Sequence, residues 1–414
     1  MPAPALPAEI IWKIASGQKL ATLQSLTHIS PLFRLVCQQI LFNKLSLNVI
    51  SVAAADRLKG IMTSPRIVSY IQELVLHRSG PTTQVPWHER LPEFLGMVHS
   101  AGRIKALTLG ALDSSELGAM EDEYQEAISA AFRRICASAT LHTLEAHHDF
   151  HKYLHHCGPS LKHLKVVSEK GSPNASPPSP PRRRSDIKLQ SFTFVGGGST
   201  PYTSNVFPYM LNPLNKISFK VFKCLEFGEC RTVEDFDMAN ALLDRCRHSL
   251  EDLDFRFKSR GSESDAVGFL RLQPLLRLKR FTFRGFFVWP FHQDDPNPYT
   301  WLIAQVSVQG RPFKRLRIII LEVKYDYIPI PSMVDRRPFT DWEELGEMLS
   351  NRELFPWLRL VKIVMGWADS PKRGGRNVSG DSMMSAQEVV LAKKLEEAMP
   401  LLQAQGMLKI EKCP

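Results

Sequence analysis

No apolar run in the 414-residue chain approaches the roughly 18 residues needed to cross a bilayer; the best lies around Ile318–Leu321 and is far shorter. The N-terminus has no basic stretch followed by an apolar core, so no secretory signal is expected there. Cysteine is sparse. The seven are odd in number and scattered, with no Cys-x-x-Cys; Cys224 and Cys230 are the closest pair, and nothing suggests a ligand set. A reducing cytoplasm or nucleus fits this usage best. The sequons Asn174-Ala175-Ser176 and Asn377-Val378-Ser379 are then chance matches.

Catalytic signatures are missing too. Gly196-Gly197-Gly198-Ser199-Thr200 lacks the lysine of a phosphate-binding loop and reads as a turn after a strand at Phe192–Val195. No Gly-x-Ser-x-Gly elbow is present to hold a nucleophilic serine. Asp294-Asp295 and Glu343-Glu344 are sequence neighbours, one pair in a loop and one at a helix start, where carboxylates complement the dipole. The chain is therefore expected to be no enzyme and to carry no cofactor. Its net charge of +10 comes from basic residues interleaved with acidic ones along the whole length. Such a surplus favours acidic partners without specifying a fold. No nucleic-acid-binding module is recognisable.

A histidine cluster is the one tempting chemical feature. In HHDFHKYLHHC, from His147 to Cys157, the pairs His147/His151 and His151/His155 have the i, i+4 spacing that can hold zinc on a helix. There is no His-Glu-x-x-His order and no fixed third ligand. A surface helix with Phe150 and Leu154 facing inward accounts for the same residues, and no metal is expected.

What is present begins at the N-terminus. Leu6-Pro7 opens three short amphipathic segments. Pro7 suits the first turn of a helix, because its missing N–H would have had no intrahelical partner. Ile10, Ile11 and Ile14 share one face; Leu20, Leu23 and Leu26 lead to Ile29; Phe33, Val36, Ile40, Leu41 and Phe42 follow Pro31. Three such pieces in about 45 residues have too little interior to bury all these side chains, and the remaining apolar surface predicts a partner.

Leu6-Pro7-Ala8-Glu9-Ile10-Ile11, the run Leu20–Leu26, Ile29-Ser30 and Phe33-Arg34 together resemble an F-box. The resemblance implies that Leu6, Pro7, Ile10, Ile11, Ile14, Leu23 and Leu26 dock a Skp-type adaptor, and through it a cullin, in a ubiquitin ligase. The segment departs from the family at Gln18-Lys19-Leu20, where the family usually has an acidic residue, and at Leu41-Phe42, usually Leu-Trp. The alternative is a scaffold for protein–protein contacts in which these helices merely cap the first repeat, since terminal repeats need caps.

Beyond residue 46, one pattern recurs: Leu-x-x-Leu-x-Leu, with Ile, Val or Phe substituting. Copies begin at Ile71, Ile104, Leu161, Leu189, Leu214, Leu250, Leu278, Leu316 and Leu358, with a weaker one at Leu141. The last two apolar positions alternate and so share one face of a strand. Helical spacing precedes several copies, at Tyr124–Cys136, Phe236–Cys246 and Trp342–Leu349. The pattern resembles the divergent leucine-rich repeats that stand behind F-boxes in fungal proteins. It implies an α/β fold: a three-helix segment over residues 1–46, then an irregular horseshoe over 47–414. Intervals of 20 to 42 residues and the missing ladder asparagine depart from the usual repeat. A doubly wound sheet also alternates strand and helix, but no Gly-rich turn follows Leu76.

In a horseshoe the residues beside the buried strand positions line the concave face. His163, Lys165, Lys216, Lys220, Asp252, Asp254, Arg256, Arg280, Thr282 and Arg284 are so placed. Lys165, Lys216, Lys220, Arg256, Arg280 and Arg284 make a basic surface for an acidic segment of a target protein; a plain solvated strand face fits equally. The aromatics of the 285–298 loop are expected to pack beneath the strands. Between two copies, GSPNASPPSPPRRRS has no aliphatic residue to bury, so an insert at about 168–187 is expected to be disordered. Within it Ser179-Pro180-Pro181-Arg182 has the order proline-directed kinases favour, and phosphate there would offset Arg182, Arg183 and Arg184. A second loop, Ser370–Ser382, is expected to be mobile.

Overall fold

The computed structural model describes residues 6–48, 51–77, 90–110, 122–147, 153–168, 186–196, 203–230, 233–258, 270–272, 274–287, 302–303, 312–325, 340–367 and 386–412. The expected disordered insert lies outside these residues except at its ends, as do Ser179, the aromatic loop beyond residue 287 and the Ser370–Ser382 loop. The architecture is mixed α/β with a large parallel sheet. Among the described residues no helix is long and apolar enough to cross a membrane.

The chain divides into two compact units, with described residues 6–168 and 186–189 in the first and those from 190 onward in the second. The first unit opens with α1 (Ala8–Ser16), α2 (Leu20–Leu26) and α3 (Pro31–Phe42). It continues with β1 (Lys44–Asn48), α4 (Val52–Met62), α5 (Pro65–Val68), β2 (Glu73–His77) and α6 (Leu91–Ala101). Next come β3 (Ala106–Leu109), α7 (Asp122–Cys136), β4 (Thr143–His147), β5 (His163–Ser168) and the short β6 (Ile187–Lys188). From β1 to β5 each strand pairs in parallel with the next, in chain order. Two apolar rows run across them on one face, Leu45-Leu74-Leu107-Leu144-Leu164 and Leu47-Leu76-Leu109-Ala146-Val166, all buried.

The second unit contains β7 (Ser191–Gly196), α8 (Thr203–Leu211), β8 (Ile217–Ser218), β9 (Cys224–Cys230), α9 (Val233–Cys246) and β10 (Asp252–Lys258). It ends with β11 (Arg280–Phe287), β12 (Ile318–Tyr325), α10 (Thr340–Ser350), β13 (Leu360–Trp367), α11 (Ala386–Ala398), α12 (Pro400–Ala404) and β14 (Leu408–Lys412). Strands β7 and β9 to β14 again pair in parallel and in chain order. Phe194, Phe227, Phe255, Phe283, Leu321 and Ile363 form one continuous buried row. Both faces of a doubly wound sheet are covered, and its strands read as continuous apolar runs. Here apolar and half-exposed positions alternate, so one face is covered.

The repeated unit is held at its start by a backbone device. The residue after the first apolar position offers its carbonyl to two successive N–H groups of the next copy. Gln72 accepts from Lys105 and Ala106, Lys105 from His142 and Thr143, and His142 from Lys162 and His163. In the second unit Gln190, Lys223, Glu251, Lys279 and Arg317 each do the same for the next copy. These bonds fix the parallel register whatever the length of the intervening chain, which is how repeats of unequal length stack in step. The pairing also satisfies backbone polar groups that would otherwise be orphaned at the start of each strand.

The helical spacing read from the sequence matches α7, α9 and α10. Ile128, Ala131, Phe132 and Ile135 form the buried stripe of α7, and Phe236, Ala239 and Leu243 that of α9. One repeat copy does not match. Leu214 is exposed in a 3-10 turn capped by the Asn212 side chain, and Lys216 has a left-handed φ of 49°. The strand of this copy is β9, in the phase Phe222-Leu225-Phe227, with all three buried. The turn that Asn212-Pro213 begins is followed only by the two-residue β8, which is not a strand of the large parallel sheet, so the Leu-x-x-Ile-x-Phe spacing here is coincidental. Three strands are not among the copies read from the sequence: β1, the short β6 and β14. Of these β1 carries the pattern as Phe42-Leu45-Leu47, and the Asn43 carbonyl accepts from Gln72 and Glu73 as in the other copies.

Close packing at the end of the second unit makes a test. A Cβ on Gly346 of α10 would lie 2.7 Å from Met399 Cγ, 3.1 Å from its Cβ and 3.3 Å from its Cα. Met399 is fully buried and its backbone holds the start of α12. Gly346→Ala gains up to about 1 kcal/mol of helix propensity, but overpacking typically costs about 1–3 kcal/mol. The variant is expected to unfold at lower urea concentration than the native chain.

Candidate functional site

Two surfaces carry the residues singled out from sequence. The first is the N-terminal helical segment. Pro7 stands immediately before α1 and its carbonyl accepts the Ile10 and Ile11 N–H groups, starting the helix. Ser30 caps α3 by accepting the Phe33 N–H at 3.3 Å, with Pro31 at the first helical position. Arg34 Nε donates to the Thr27 carbonyl at 3.3 Å and ties the end of α2 to α3. The core is Ile11, Ala15, Leu23, Val36 and Cys37, with Leu26, Leu32, Phe33, Ile40 and Leu41 packed against it.

The seven expected adaptor-contacting residues therefore divide. Ile11 and Leu23 are buried and hold α1 and α2 onto α3, so they do not present a surface; Leu26 is half-buried against the same core. Leu6, Pro7, Ile10 and Ile14 are exposed. Ile10 and Ile14, one turn apart on one flank of the buried stripe, are 41 % and 42 % exposed, and Trp12 on the other flank is 44 % exposed. Leu20, which starts α2, is 64 % exposed, and Ile29, in the turn between α2 and α3, is 63 % exposed. Burial in the segment's own core cannot be told from sequence, because the helical repeat marks an apolar arc without saying which part of it meets another helix.

The second surface is the half-exposed face of the strands. Lys165 lies on β5 and pairs with Glu145 of β4 at 2.8 Å. Lys216 and Lys220 are not on this face; they occupy the connection between α8 and β9. Arg256, Arg280 and Arg284 do lie on it. Arg284 Nε donates to the Asp254 carboxylate at 2.8 and 3.1 Å, and its guanidinium reaches Glu322 at 3.5 Å and Glu226 at 4.0 Å. One cation on β11 thus holds carboxylates from β9, β10 and β12. Arg280 pairs with Asp252 at 3.7 Å. Burial raises the Asp254 carboxyl above its ordinary range despite the guanidinium beside it, and Glu226 adds to the rise. The Asp254 hydrogen bond in turn strengthens the hold of Arg284 on its proton.

Among the described side chains of the second unit this face is balanced rather than basic. Arg256, Arg280, Arg284, Lys362 and Lys409 are set against Glu226, Asp252, Asp254, Glu322 and Glu411. The expectation of a basic face is corrected on this point. Sequence reasoning misses Glu145, Glu226 and Glu322, although each sits between two buried apolar neighbours and so reads outward. Glu226 is hidden by the misplaced copy at Leu214, and Glu322 follows the third apolar position where the pattern stops.

Of the expected surface helix, residues 148–152 lie outside the described residues, and Tyr153 and Leu154 are helical. His147 ends β4, so it has no helical i, i+4 relation to His151, which lies outside the described residues. Leu154 is buried as expected, and the His155 and His156 rings meet edge to face at 5.2 Å. Cys37, Cys136, Cys157, Cys224 and Cys246 carry free thiols. Burial pushes Cys246 up to about 12 and raises Cys37 and Cys224, while Cys136 is raised by its hydrogen bond with Cys157 and by burial. A nucleophilic thiolate requires a shift in the opposite direction. No protein-family model matches the chain and no curated protein matches it.

Proposed function

We propose that the chain is the substrate receptor of a Skp–cullin–F-box ubiquitin ligase. Its N-terminal helices bind the adaptor, and its repeat domain, an irregular leucine-rich-repeat-like horseshoe, binds a target protein. The single observation that carries this reading is the uncovered apolar surface of α1 and α2. A seven-residue helix without a capping side chain, with only Leu23 fully buried, is marginal in isolation. Its outer residue Leu20, together with Leu6, Ile10 and Ile14 of the first segment, offers a contact at which an adaptor would both bury apolar area and order the helices. The chain then needs no catalytic group, because transfer of ubiquitin follows from proximity within the assembly.

Packing of α3 against β1 and α5 favours the second reading, a cap on the first repeat of a stand-alone scaffold. That packing accounts for α3 but leaves Ile10, Ile14 and Leu20 uncovered. The test is co-expression with a Skp-type adaptor, then gel filtration, for the native chain and for Ile10→Asp/Ile14→Asp. Both positions are exposed, so the variant is expected to fold while binding weakens at least about 100-fold, as for a pair of central apolar contacts. A folded native chain that remains monomeric beside the adaptor would replace the receptor reading with the scaffold.

A further inference from the structure

The strand face is electrically balanced, but the edge of the sheet where β11, β12 and β13 begin is not. Around the buried residues Leu278, Leu316 and Leu358 the chain reads Arg277-Leu278-Lys279, Arg315-Leu316-Arg317 and Trp357-Leu358-Arg359. Because the register is fixed, Lys279, Arg317 and Arg359 form one row across three neighbouring strands, and Arg277, Arg315 and Trp357 form a second. Adjacent strands lie about 4.8 Å apart, so each row spans roughly 10 Å. Lys279 is neutralised by Glu251 at 2.7 Å. Arg315, Arg317 and Arg359 are exposed and, among the described residues, no carboxylate lies within ion-pair distance of them. Glu353 is the exposed acid of the adjoining loop.

Two further features make this edge a formed surface rather than scattered surface charge. The loops that carry the cations are tied together: the Phe313 N–H donates to the Leu354 carbonyl at 2.7 Å, the Leu276 N–H to the Arg247 carbonyl at 3.2 Å, and Arg352 Nη1 to the Leu358 carbonyl at 2.8 Å. The backbone that carries these cations therefore loses little freedom on binding, and the cost is confined to their side chains. Beside them Leu276 and Trp357 are 60 % and 57 % exposed, large apolar side chains held in water at the same edge.

We propose that this edge of the second unit docks an Asp- and Glu-rich segment of another protein that also carries an apolar residue for Trp357 or Leu276. The proposal rests on the repeat region being a target-binding surface and is independent of the adaptor contact. Guanidinium groups bind carboxylates in two-pronged fashion, and arginine predominates among the unpaired cations here. A nucleic acid fits less well. Single strands are held by successive aromatic stacking platforms, and Trp357 is the one exposed aromatic among the described residues of this edge. Three strands also give too narrow a stripe to follow a phosphate backbone.

The experiment uses the full chain and three fluorescent probes: a twelve-residue Asp/Glu peptide containing one leucine, its Asn/Gln counterpart, and single-stranded oligouridine. The acidic peptide is expected to bind and the neutral peptide not. Arg317→Glu/Arg359→Glu should weaken binding by about tenfold, as for two exposed charge contacts, while Arg256→Gln on the strand face changes it less than about twofold. Far-ultraviolet circular dichroism checks that both variants are folded. Absence of binding at low salt, equal weakening by the edge and face variants, or tighter binding of oligouridine would each overturn the proposal. None of these results bears on adaptor binding by α1 and α2.

Discussion

Phe255→Ala is expected to lower the free energy of unfolding by about 3–5 kcal/mol, the largest single-residue effect in the second unit. Phe255 is fully buried at the centre of the phenylalanine row. Its ring lies 5.2 Å from Phe227 and 6.1 Å from Phe283 along the row, and 6.1 Å from Phe236 of the covering helix α9. Phe207 of α8 extends the cluster, 6.1 Å from Phe227 and 5.9 Å from Phe194. Truncation removes the ring from strand, neighbouring strands and helix at once. Two paired neighbours, β9 and β11, fix the backbone on either side, so the site cannot collapse to fill the space. Phe255→Leu keeps most of the volume and should cost less than about 1.5 kcal/mol beyond the lost ring contacts. Urea denaturation of the two variants, monitored by circular dichroism, separates volume from ring geometry; equal small losses would mean that the row is loosely packed.

The same row explains what can be read from the sequence and what cannot. Burial alternates along these strands because one face is covered and the other half-exposed, so Leu253-Asp254-Phe255 announces its geometry locally, whereas Ile318–Leu321 and Ile363-Val364-Met365 are apolar on both faces and do not. The helices that cover the sheet announce theirs by the spacing of Ile128, Ala131 and Ile135. A six-residue pattern is short, however, and Leu214-Ile217-Phe219 satisfies it as well as Phe222-Leu225-Phe227. Only the register, set by the Gln190 carbonyl accepting from Lys223 and Cys224, chooses between them. At the N-terminus the division between Ile11, which is buried, and Ile10, which is exposed, depends on where α3 crosses α1. Three-dimensional partners likewise decide the charge of the strand face, since Arg284 meets acids from three other strands 30 to 58 residues away in the chain.

That ion cluster makes the second large prediction. Arg284→Met keeps the aliphatic stem but leaves Asp254, Glu226 and Glu322 facing one another without their cation. Breaking a fully buried ion pair costs about 3–5 kcal/mol; Arg284 is 31 % exposed, so solvent screening should reduce the loss to about 2–3 kcal/mol near neutral pH. The pH dependence distinguishes lost charge from lost packing. Removing the guanidinium takes away what holds the Asp254 carboxyl down, so its folded-state value, already raised by burial, rises further in the variant. A carboxyl whose folded value exceeds its unfolded value destabilises the native state above that folded value. The penalty fades as pH falls through it and is absent below the unfolded value. The stability difference between native chain and variant should therefore narrow as pH drops from 7 through the carboxylate range. Denaturation curves at pH 7 and at successively lower values test this. A difference that stays constant with pH would assign the role of Arg284 to its packed stem, and one that widens would mean that the three carboxylates do not share its charge.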